Sequence, residues 1–300
     1  MTTEAIPQAA ADVRAQHPRR RPRRPVKRTL LYATLVGSSI LMIGPFYWAL
    51  ATSFKPSGDV FASPPKWIPN PWILDNYRDV FTLLPFGRFF LNSVIVTAAI
   101  VGLNVVFDTA AAYAFAKLRF RGRNVLFFLL LITLMVPFQV NLIPLYRIMV
   151  TLHNVSPALG VDTYSALILP GAIQVFGIFL MRQFLASVPD EILESARVDG
   201  ASEYRILRSI IFPIAKPGMA TLAIFVFLGA WNDFLWPLIV TNSDAVRTLP
   251  VGLALLARKN TVNWGDTMAG TALAAAPMVL VFLILQRRFI EGLTAGSVKG

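Results

Sequence analysis

Six apolar runs, each about as long as a bilayer-crossing helix, set the terms on which this chain can fold. They are Leu30–Phe54, Phe89–Ala116, Asn124–Ile143, Tyr164–Ala186, Gly218–Val240 and Thr267–Leu285. A helix needs roughly 20 apolar residues to span the hydrocarbon core. Inside that core the backbone must satisfy its own hydrogen bonds, which helices do. Composition agrees. Hydrophobic residues are 55% of the chain and charged ones only 15%, a balance that would leave a soluble domain with too much wet apolar surface. The predicted fold class is all-α: a polytopic membrane protein with six transmembrane helices. Ala49-Leu50-Ala51 looks like a signal-peptide cleavage site, but the run before it is too long for one, so an uncleaved anchor is expected.

Basic residues give the orientation. They concentrate before the first span, after the second (Lys117, Arg119, Arg121, Arg123), after the fourth (Arg197, Arg205, Arg208, Lys216) and after the sixth (Arg287, Arg288). The positive-inside rule then puts both termini in the cytoplasm. Three regions follow: a disordered basic tail over 1–28, a six-helix membrane domain over 29–290, and a short C-terminal tail over 291–300. The net charge of +12 points to anionic lipid more than to nucleic acid. An RNA-binding arm would interleave aromatics with its arginines, and the N-terminal tail has none.

Ser187–Pro217 is the long polar segment of the second half. Ser187 and Asp190 have capping-box spacing, Asp190, Glu191 and Glu194 favour a helix start, and Asp199-Gly200 stops the helix. Ile192, Leu193 and Ala196 make one apolar stripe, and Tyr204, Leu207 and Ile211 make another on a second helix. Two short helices around a tight turn describe a docking hairpin or an amphipathic interfacial hairpin. Its mixed charges disfavour a DNA-reading role.

Glu194-Ser195-Ala196, Gly200, Ile210 and Phe212-Pro213 resemble the EAA loop of ABC-transporter permease subunits, in the sugar-importer branch and its maltose-type permease with a cytoplasmic tail. Ser195 stands where that family has alanine, and Phe212 where it usually has leucine. The resemblance implies a type I ABC importer permease fold whose EAA helices dock on a cytoplasmic ATPase. It implies a carbohydrate as substrate. It also implies a second permease as heterodimer partner, two ATP-binding subunits and an extracytoplasmic solute-binding protein. Glu194, Ser195, Ala196, Asp199, Gly200 and Ala201 are then the expected coupling residues.

Other candidates lie in the spans. Asn104, Asn141 and Asn232 could line a route for a hydroxyl-rich solute or join helices. Asp108 reads as a structural partner or as an ion carrier, and the latter keeps a lone, gradient-driven secondary transporter as the alternative. A membrane scaffold without transport is a third. No cysteine and two histidines leave little for a metal site, and no catalytic residue or cofactor is expected. The absence of G-x-x-x-x-G-K-[ST] means ATP hydrolysis belongs on another chain.

Overall fold

The computed structural model describes residues 25–259 and 263–295, with side chains described for 28–256 and 263–286. Residues 1–24 of the expected basic tail and 296–300 of the expected C-terminal tail lie outside the described residues. The chain divides into two compact units, Met1–Trp48 and Ala49–Gly300. The first holds most of α1 (Pro25–Thr52), whose stretch Arg28–Thr52 is long and apolar enough to cross a membrane. The second holds α2 (Asp75–Leu83), α3 (Phe86–Lys117), α4 (Arg123–Thr133), α5 (Leu142–Val155), α6 (Tyr164–Ile168) and α7 (Val175–Ala186). It continues with α8 (Asp190–Val198), α9 (Glu203–Ile206), α10 (Phe212–Ile214), α11 (Lys216–Trp231), α12 (Leu235–Val240), α13 (Leu249–Lys259) and α14 (Trp264–Ala295). No strand occurs among the described residues.

Helices α1, α3 and α14 each reach membrane length, and three further crossings are helix pairs bent at a break, giving up to six. The bends are 91° between Arg123–Thr133 and Phe138–Val155, 42° between Tyr164–Gly171 and α7, and 77° between Glu203–Ile214 and α11. Proline makes the first two breaks. Pro137 lacks an N–H and has extended ψ 137°, and Pro170 lies in a 3₁₀ turn, Leu169–Gly171. The third span therefore differs from its expected course to Ile143. Its helix stops at Thr133, and α5 fills much of what reads as a loop. The stretch 241–266, between the last two apolar runs, is partly helical as well. In it α13 buries Leu249, Val251 and Leu256 and packs on α3 and α14.

The axis of the second unit is α3, which packs against α7 and α11. Its buried side includes Ser93, Thr97, Asn104 and Asp108, spaced by four or seven residues along one face of the helix. Three of these hold irregular backbone. Ser93 Oγ accepts the Leu249 N–H at 2.8 Å. Asn104 Nδ2 donates to the carbonyls of Ile100 (2.8 Å) and Gly171 (2.6 Å). Asp108 Oδ1 accepts the Gln174 N–H at 3.1 Å. Next to Ser93, Asn92 donates to the carbonyls of Ala245 and Arg247 and accepts the Tyr164 hydroxyl. Backbone released by a helix break in the membrane needs partners inside the protein, and α3 supplies them.

Candidate functional site

The polar segment folds as the expected pair of helices, with a different entry. Ser187 Oγ donates back to the Phe184 carbonyl at 2.7 Å, so no capping box forms. Pro189 occupies the N-cap of α8. At the other end a Schellman turn closes the helix: Ala201 N–H reaches the Ala196 carbonyl and Gly200 N–H the Arg197 carbonyl, both at 3.0 Å. Gly200 sits at φ +79°, the left-handed conformation that glycine adopts without penalty. Ala196 and Ala201 are half-buried beside that turn, where larger side chains would compete for space. Ser202 caps α9, its Oγ accepting the Arg205 N–H. A π-helical turn at Leu207–Ile211 follows before the 77° bend into α11.

Only part of each expected apolar stripe faces inward. Leu193, Ile206 and Ile211 are buried, whereas Ile192, Val198 and Tyr204 are exposed at 41%, 88% and 70%. These three side chains give the hairpin an apolar outer surface around Glu194, Asp199 and Gly200, which are exposed too. Ser195 Oγ is satisfied by the Glu191 carbonyl at 2.9 Å.

Polar ties bind the hairpin to the end of α3. Lys117 Nζ donates to the Val188 carbonyl and to Asp190 Oδ1, each at 2.6 Å. Arg197 pairs with Glu203 at 2.8 Å, and the Tyr113 hydroxyl donates to the same carboxylate. The Lys117 ammonium holds the Asp190 carboxyl below the usual carboxylate range. Between hairpin and α3 lies a cavity of about 540 Å³ reached by Glu194, Arg197, Arg119 and Lys117. The hairpin is thus fixed to a 32-residue helix that is long and apolar enough to cross a membrane.

A second cavity, of about 360 Å³, opens beside the break in the fourth span and the gap between α11 and α12, and Gln174 and Asp233 are among its polar side chains. The sequence offers Asn104, Asn141 and Asn232 either as lining of a solute route or as ties between helices, and none of the three lines this cavity. Asn104 is fully buried and bonded to backbone, while Asn141 and Asn232 are exposed, the latter donating to the Leu228 carbonyl. Gln174 was missed, although its place just after Pro170-Gly171 marks the break. Asp108 is buried with Oδ2 unbonded, close enough to Gly177 that a Cβ there would lie 2.0 Å from that oxygen. No cluster of metal-ligating side chains occurs among the described residues.

Residues 109–294 match the family described as binding-protein-dependent transport system inner membrane component. The chain is 36% identical to the arabinooligosaccharides transport system permease protein AraQ of Halalkalibacterium halodurans, over 92% of this chain and 98% of that protein. It is 35% identical to the diacetylchitobiose uptake system permease protein DasC of Streptomyces coelicolor, over 88% and 96%. Its fold matches a chain of a bacterial ABC transporter for the acidic polysaccharide alginate at TM-score 0.79 and 22% identity, covering 89% of this chain and 98% of that one. With up to six candidate crossings, a helical hairpin on the third helix and this match along most of its length, the chain belongs to the inner-membrane permease components of binding-protein-dependent ABC importers.

Proposed function

We propose that this chain is the permease subunit of an ATP-driven carbohydrate importer, and that its 187–217 hairpin couples ATPase closure to alternating access. The observation that carries the coupling role is the hairpin's apolar outer surface, with Val198 88% exposed beside a glycine turn tied to α3. Glu194, Ser195, Ala196, Asp199, Gly200 and Ala201 are the proposed coupling residues. Ala196, Gly200 and Ala201 form the turn, and Glu194 and Asp199 present charge to the partner. The partners are a second permease, two ATP-binding subunits that carry the hydrolysis, and an extracytoplasmic solute-binding protein. Both termini and the hairpin lie in the cytoplasm. A carbohydrate substrate is supported by relatives named for arabinooligosaccharides and diacetylchitobiose. Asn141 and Asn232 are proposed to face the solute route, and Asn104 to hold its wall.

The unbonded Asp108 Oδ2 favours one competitor, an ion-gradient-driven carrier working alone. Uptake into vesicles with ATP supplied and the proton and sodium gradients collapsed separates the two. The importer keeps transporting; a carrier stops. Reporter fusions after Arg121 and Arg197 are expected to read cytoplasmic, and fusions near Lys66, His153 and Asp244 external. An external reading at Arg197 overturns the coupling role, because no cytoplasmic ATPase could reach the hairpin.

A further inference from the structure

The cavity at the two helix breaks has a composition of its own. Pro170, Gly171 and Gln174 come from the interruption of the fourth span, Asp233 from the gap between α11 and α12, and Trp236 from the first turn of α12. Phe138, at the break of the third span, meets Trp236 edge-on at 6.3 Å between ring centroids. Trp236 is 2% exposed and its indole N–H is held by the Ala166 carbonyl at 2.8 Å, so its ring orientation is fixed. An aromatic ring beside an amide and a carboxylate suits a hydroxyl-rich ring. The apolar face of the sugar packs on Phe138, which is 43% exposed and backed edge-on by the buried indole, and its hydroxyls donate to the carboxylate and exchange hydrogen bonds with the amide. A volume of about 360 Å³ is at the small end of small-molecule sites and fits a sugar unit or two. Among the described lining residues there is a carboxylate and neither lysine nor arginine.

We propose that this cavity is a solute-contacting station of this subunit, in which Gln174 and Asp233 select uncharged oligosaccharides and reject acidic or phosphorylated ones. The proposal rests on the reading of the chain as a carbohydrate importer subunit. Rejection follows from desolvation without compensation: an anionic solute would give up water beside Asp233 in a site whose described lining residues include neither lysine nor arginine.

The test uses the complete importer in proteoliposomes, with its solute-binding protein and ATP. The probes are the neutral sugars arabinotriose, diacetylchitobiose, maltotriose and raffinose, and the anions glycerol 3-phosphate and an alginate trisaccharide. Wild type is expected to import at least one neutral probe and neither anion. Gln174→Ala and Asp233→Asn are expected to lower that uptake by about tenfold or more, the loss that goes with a hydrogen bond to a charged or buried group. ATP hydrolysis stimulated by the loaded binding protein stays within about twofold of wild type, a change worth less than a weak hydrogen bond. Gly229→Phe provides a variant that leaves these polar groups in place. Gly229 lines the cavity and a Cβ there meets nothing within 4 Å, so a ring at this position is expected to narrow the cavity and lower uptake. Import of an anion by wild type, or wild-type uptake in all three variants, overturns the proposal while leaving the importer reading in place. Import of no carbohydrate, neutral or acidic, overturns the importer reading and the proposal with it.

Discussion

The coupling hairpin and the break in the fourth span are both interruptions of helix, and the molecule holds them in opposite ways. The hairpin is stabilised at its surface. Its ties are partly exposed ion pairs, and its glycine, Gly200, needs its left-handed backbone while the space around it is empty within 4 Å. The break is stabilised from inside. Asn104 and Asp108, both fully buried, hold Gly171 and Gln174, and the nearby glycine, Gly177, has helical backbone and no room at all. One glycine answers to conformation and leaves its surface free for a partner. The other answers to volume, and a partner could never reach it.

That contrast orders the effects of substitution. The largest is expected at Gly177→Val. The first added carbon would already lie 2.0 Å from Asp108 Oδ2 and 2.9 Å from Leu222 Cδ1, and overpacking a filled core costs about 1–3 kcal/mol or more. Purified protein in detergent should melt several degrees lower, and a melting temperature equal to wild type would show that the site relaxes freely. Asn104→Leu comes next. It leaves the Gly171 carbonyl without its donor, at a cost of about 1–3 kcal/mol, visible as faster hydrogen exchange across 171–178. Asp108→Asn is milder, since an amide oxygen can still accept from Gln174 N–H. ATP-driven uptake is expected to stay within about twofold of wild type, a difference smaller than one ordinary hydrogen bond.

The smallest effect concerns pH at the hairpin. Asp190 has a depressed folded pKa because of Lys117, so its contribution is present above the unfolded value and is lost as pH falls through the folded one. Between pH 7 and about 5, above the ordinary aspartate pKa of about 3.9, amide protection across 190–198 should not change. Lys117→Met should remove part of that protection across the whole range.

Local chemistry made the hairpin legible in the sequence. Asp199-Gly200 announces its turn, and the charged residues around it announce an aqueous surface. The six runs were legible for the same reason, since charge is excluded from them. What could not be read was which apolar face turns inward. A docking surface and a protein core are both apolar, so Tyr204 and Ile206 look alike as candidates for burial, and the structure buries the isoleucine. The break at Pro170 was visible as a proline and a glycine, but its consequence was not. Only the approach of α3 shows that Asn104 serves backbone and that Gln174 is left to face a cavity. Gly177 carried no signal, because its need is set by a carboxylate 69 positions away.

The central claim is that the surface left free around Gly200 is an ATPase contact. Gly200→Leu tests it most directly, because the side chain projects into open space and strains only one residue, by roughly 1–2 kcal/mol. The measurement is co-purification of the ATP-binding subunits with the variant permease, alongside ATP hydrolysis stimulated by the loaded binding protein. Normal membrane levels with ATPase recruitment reduced by about tenfold or more, and stimulation lost with it, is the result expected. Wild-type recruitment and stimulation in Gly200→Leu would contradict the claim.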